Sequence, residues 1–138
     1  MLSTADIRIG VLVSRNDYRR IMDVATEVIA PLLRRGCRES NITVKYTPSD
    51  FHLALGTLFF AEYTDVDGVI VVGDEYDANI AKSLHELQIQ WNMPVEKRYN
   101  GSQTGDGCSV VDMVQLQSEM AGELPEEKSP ASRRENVN

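Results

Sequence analysis

Histidine and cysteine are scarce in this sequence, two of each in 138 residues, and tryptophan occurs once. Cys37 and Cys108 belong to no CxxC motif and no Cys/His cluster, so the sequence holds no zinc-binding signature. Two free thiols are expected rather than a disulfide. No apolar run approaches the roughly 20 residues that span a bilayer. Met1 to Asp6 has no basic region leading into an apolar stretch, so no secretory signal is expected, and the reading is of a cytoplasmic protein that does not engage a membrane. Positive charge is also in short supply. The net charge is −7 and the isoelectric point is near 4.8, a field that repels nucleic acid and anionic lipid. A phosphorylated ligand therefore needs a local cluster of donors.

What is present has a clear rhythm. Ile7 to Val13, IRIGVLV, is β-branched and apolar with little alternation, as in a strand buried on both faces. Ser14, Asn16 and Asp17 follow and suit a helix start. A helix is expected from about Tyr18 to Arg35. Ile21, Ala25, Val28 and Leu32 share one face, Pro31 kinks the last turn, and Gly36 caps it. Asn41 to Thr47 reads as a second strand. Pro48, Ser49 and Asp50 end it and open a helix whose apolar side carries Phe51, Leu55, Leu58 and Phe59. Val66 to Val72 is a third strand, ended by Gly73 and Asp74. Ile80, Leu84, Leu87 and Trp91 mark a third helix. A fourth strand begins at Met93 to Val95, a polar stretch covers Tyr99 to Gly107, and a last helix runs from about Ser109 to Met120.

This order predicts one domain over residues 1–121, with a parallel, flavodoxin-like sheet and helices on both faces. Residues 122–138, rich in charge and with two prolines, predict a disordered polar tail.

In such folds ligands bind at the carboxyl ends of the strands. The first end offers Ser14, Arg15, Asn16 and Asp17, either a polar ligand loop or a helix cap. The second offers Phe51, a ring able to stack on a planar ligand or to enter the core, and His52, either a general base or a solvated first-turn residue. The third, GDEYD, holds three carboxylates that either bind a cation or cap the next helix. The fourth offers Lys97 and Arg98 with the backbone amides that follow. It is the best local anion site, although its glycine spacing matches neither a P-loop nor a dinucleotide fingerprint. His85 sits mid-helix with no partner signature.

The residues at these ends also resemble a known family. RIGVLVSR, NITVKYTPSDFHLAL and YTDVDGVIVVG follow without a gap the outline of the 6,7-dimethyl-8-ribityllumazine synthases: an I-V-S-R-F-N strand end, an I-T-V-x-x-V-P-G-A-F-E-L-P segment and a Y-D-A-V-I-x-L-G strand. IAKSLHELQIQWNMPV and GDGCSVVDMVQLQSEM resemble the family's later helices. The resemblance implies a three-layer α/β/α sandwich, assembly into pentamers, sites between subunits, and condensation of a ribitylamino-pyrimidinedione with a four-carbon ketone phosphate without metal or organic cofactor.

The departures fall at the family's functional positions. Its stacking Phe falls on Asn16. Its G-A-F-E stretch falls on Ser49, Asp50, Phe51 and His52, of which only Phe51 matches. After Gly73 the family's phosphate-holding loop, with its proton-transferring histidine, is missing, and Asp74 leads directly toward the next helix. A positioned acid or base supplies ~10²–10⁴ in rate, and each charge-assisted phosphate contact contributes roughly 1.5–3 kcal/mol. Losing these together predicts impaired catalysis on a retained framework with a structural or assembly role. Two alternatives are an active synthase using His52 with Lys97 or Arg98, and a module binding a flavin- or pteridine-like ring. The site residues that follow from this reading are Asn16, Asp50, Phe51, His52 and Asp74, with Lys97 and Arg98 for phosphate.

Overall fold

The computed structural model describes residues 2–15, 23–99 and 108–123. Four strands form one parallel sheet in the order β2-β1-β3-β4: β1 (Ile9–Ser14), β2 (Ile42–Thr47), β3 (Gly68–Gly73) and β4 (Val95–Tyr99). β1 and β3 are central and buried along their whole length. That burial is why both read as unbroken apolar runs.

Among the described residues, four longer helical elements cover the two faces. α1 (Ala30–Arg34) continues from a π-helical turn at Ala25–Ile29. The others are α2 (Leu53–Tyr63), α3 (Ala78–Trp91) and α4 (Ser109–Gly122). Alternate residues of each strand face opposite layers. Ile9, Val11, Val13, Ile70 and Val72 pack with Val28 and Leu32 of the first helical segment and Val110, Val111 and Val114 of α4. Leu12, Val69 and Val71 pack with Leu53 and Phe60 of α2 and Leu84 of α3. The result is the expected three-layer α/β/α arrangement, and its strand order is that of a flavodoxin-like sheet over four strands.

Local chemistry explains the boundaries. Gly36, with φ of +102°, closes the first helix. Asp77 caps α3, accepting from the N–H groups of Asn79 and Ile80 at 2.8 and 3.1 Å. Of the acidic residues in GDEYD, this one follows the capping reading. α2 approaches β1 closely because Gly10 and Gly56 leave room. A Cβ on Gly10 would stand 2.8 Å from the Phe60 ring, and one on Gly56 would stand 2.7 Å from Leu12.

Two expectations need correction. The inward residues of α2 are Leu53, Thr57 and Phe60, while Leu55 and Phe59 are about half exposed and Phe51 is 83% exposed. LALGTLFFA is apolar around its whole circumference, so periodicity alone does not select the inner face. β4 runs through Tyr99, which places Lys97 and Arg98 inside a strand rather than in a loop. The first part of the expected first helix, the polar stretch before α4 and most of the expected tail lie outside the described residues. α4 itself extends to Gly122. Among the described residues, no helix is long and apolar enough to cross a membrane.

Candidate functional site

The carboxyl ends of the four strands form the edge where an open α/β sheet presents ligand sites. Register places one row of residues across it. Ser14 pairs with Thr47, Gly73 pairs with Tyr99, and Ser14 stands beside Gly73, one step beyond the Val13–Val72 pair. Alternation turns this row toward the α2–α3 layer, the layer that also receives Leu12 and Val71.

Asp50 lies over the row. It belongs to the short 3₁₀ turn Asp50–His52 that leads into α2. Its carboxylate accepts from the backbone N–H of Asp74 at 3.0 and 3.2 Å and from that of Glu75 at 3.3 Å. One oxygen is 3.5 Å from the place where a Cβ on Gly73 would stand. Glycine at 73 leaves this approach open. Ser14 is fully buried, and among the described residues its Oγ has no hydrogen-bond partner. Tyr99 packs edge-on against Tyr76 with ring centroids 5.7 Å apart. Burial, then the neighbouring Tyr76, Asp50 and Asp77, push the Tyr99 phenol above its ordinary value.

A groove of about 410 Å³ runs beside this edge, between β2 and α2. Leu12 and Phe60 form its buried floor, and the half-exposed Phe59 and the exposed Tyr63 form its apolar wall. The Phe59 and Tyr63 rings are 5.9 Å apart. Lys45 and His52 also line it. His52 is exposed, with Nδ1 2.9 Å from Ser49 Oγ.

The two basic candidates do not converge. Lys97 and Arg98 are consecutive in β4, so they leave opposite faces of the sheet. Arg98 Nε donates to Glu96 at 2.7 Å, and the two side chains are only 12% and 7% exposed. Glu96 also accepts from the Ser109 N–H at 3.2 Å and from the Ser109 hydroxyl. Arg98 Nη1 donates to the Glu27 carbonyl at 2.9 Å. This network holds β4, the first helical segment and the start of α4 together.

The structure therefore brings Asp50 and the Asp74 main chain together and sets His52 on the groove. It leaves Phe51 in solvent and directs Arg98 to the opposite layer. Asn16 lies outside the described residues. Sequence reading did not identify Glu96, Tyr99 or the unpartnered state of Ser14. For Glu96 there was a usable signal, because opposite charges two apart in a strand share a face.

No family model matches this chain. A lumazine synthase of Porphyromonas gingivalis is 32% identical over 68 residues, 49% of this chain and 42% of the relative. That alignment spans less than half the relative's length. A lumazine synthase of Aquifex aeolicus is 23% identical over 104 residues, 68% of each chain. A de novo designed Rossmann fold protein superposes with a TM-score of 0.46 at 18% identity, covering 85% of this chain and all of that one. The two sequence alignments are consistent with a distant relationship to the lumazine synthases.

Proposed function

We propose that this chain is a lumazine-synthase-like protein that keeps the family's framework, has lost most or all of the synthase chemistry, and serves as a self-assembling scaffold. The observation that carries this reading is the commitment of Arg98. The one guanidinium of β4 is held by Glu96 and the Glu27 carbonyl, on the layer away from Asp50 and His52. A phosphate clamp at the α2–α3 side of the edge would be left with Lys97 from this strand. The missing stretch after Gly73 adds to the loss.

The groove supports the assembly part. Leu55, Phe59 and Tyr63 recur at four-residue intervals along α2 and are 49%, 46% and 75% exposed beside the edge strand β2. A contiguous apolar face of this kind marks an interaction surface. Light scattering on the intact protein tests it. A homo-oligomer, with the pentamer as the expected form, supports the reading. Phe59→Glu is expected to shift it toward monomer while retaining the far-ultraviolet spectrum. A monodisperse wild-type monomer would count against it.

A second reading has one observation in its favour. The groove combines aromatic walls with Lys45 and His52, a setting that suits a flavin- or pteridine-like ring. Saturable quenching of Trp91 by riboflavin, lost in Phe59→Ala, would favour that module.

A further inference from the structure

Two consecutive backbone N–H groups converge on one anion at the end of β3. That anion is the side chain of Asp50, which comes from a different element, 24 and 25 residues before the amides of Asp74 and Glu75 that it holds. Consecutive amides aimed at a common point form the concave donor pair by which loops bind phosphate and similar oxyanions. Such charge-assisted bonds are roughly twice as strong as neutral ones. Asp50 thus occupies, with its two oxygens, the place that a ligand's oxygens would take.

The second observation is independent of these bonds. Ser14 Oγ is buried and has no partner among the described residues, and its residue sits beside Gly73 on the face over which Asp50 lies. Buried hydroxyls are nearly always hydrogen-bonded. A carboxylate has two oxygens in one plane. A tetrahedral oxyanion has further oxygens in other directions, one of which can reach toward the floor of the site and receive this hydroxyl.

We propose that the β1–β3 edge is an oxyanion-binding site filled by the chain's own Asp50, and that a phosphate-like anion takes its place when that carboxylate is withdrawn. Asp50 is then a built-in competitor. It excludes phosphorylated ligands from the native site without altering the donors that would bind them. The neighbouring Asp77 opposes a second negative charge, so the opened site is expected to bind phosphate only at millimolar levels, roughly 4 kcal/mol of binding free energy. The proposal concerns anion binding and depends on neither turnover nor assembly.

The test titrates the full chain with inorganic phosphate, against sodium chloride at matched ionic strength, and follows the backbone amides of Asp74 and Glu75 by nitrogen–proton correlation spectroscopy. In Asp50→Ala both amides are expected to shift saturably, with phosphate bound at least about tenfold more tightly than by the wild type. Ser14→Ala on that background is expected to weaken the binding severalfold. Asp50→Asn, nearly the same shape but uncharged, covers the case in which Asp50→Ala does not fold, and is also expected to bind more tightly than the wild type. Equal binding by wild type and a folded variant would overturn the proposal, as would a folded variant whose two amides do not respond. Unchanged binding in the Ser14→Ala double variant would overturn the assignment of Ser14 to the site.

Discussion

Arg98 donates from Nη1 to the backbone carbonyl of Glu27 at 2.9 Å, the oxygen that Pro31, four residues later, has no N–H to satisfy. A proline inside a helix removes one i→i−4 bond and crowds the turn before it. Here that turn is π-helical, Ala25–Ile29. A side chain from β4 supplies a donor to the carbonyl, and the same side chain is anchored by Glu96. The cation that sequence reading offered to a phosphate thus repairs a helix.

This relationship makes a prediction about coupling. Arg98→Ala leaves Glu96 buried without its cation and is expected to cost about 3 kcal/mol, read by urea denaturation. Pro31→Ala restores an N–H to the turn. On that background the cost of Arg98→Ala is expected to fall by about 1 kcal/mol. Strictly additive costs would show that Arg98 does not act on the carbonyl freed by Pro31.

A packing prediction concerns Gly68 at the start of β3. A Cβ there would stand 2.5 Å from Val110 Cγ2 and 3.2 Å from the Pro94 carbonyl oxygen. The second neighbour is backbone and yields little. Gly68→Ala is therefore expected to lose about 1–3 kcal/mol by pushing α4 from the sheet. A variant as stable as the wild type in the same denaturation experiment would contradict the close approach of α4.

The pH dependence follows from two raised acids. Burial, and then the nearby Cys108, push the Cys37 thiol above its ordinary 9.0, with Arg35 opposing. Tyr99 is raised above 10.0, chiefly by burial. In each case the unfolded chain releases its proton first. Their contribution to stability is complete below pH 9 and is lost as pH rises through the folded values. The urea midpoint is expected to decline as pH rises past about 9 through the thiol and phenol range, and Cys37→Ala with Tyr99→Phe is expected to flatten that decline. A midpoint that rises with alkalinity would contradict the assignment.

Much of the framework was legible because its signals are local. β1 and β3 are apolar on both faces since helices cover both, and this showed as runs without alternation. The αL position after α1 showed as Gly36, and the start of α3 showed in its acidic residues. The inner face of α2 was not legible, because Leu55 and Phe59 are as apolar as Leu53 and Phe60 and only the groove beside β2 distinguishes them. The candidate residues were legible by position only. Asp50, His52 and Asp74 were picked out from their places at strand ends, and the structure puts them at that edge. Their bonds were not, because a carboxylate that reaches amides 24 residues away depends on strand order and register. Arg98 was assigned to a ligand for the same reason: its partners Glu27 and Ser109 are distant in sequence.

The most direct test of the central claim is lumazine formation from the two substrates of the family, at high protein concentration, against a protein-free control for the spontaneous reaction. On the proposed reading, a framework whose β4 guanidinium is internally committed is expected to match the control. Turnover clearly above it, and abolished by His52→Ala, would contradict the account and make this chain a working synthase with a rearranged site.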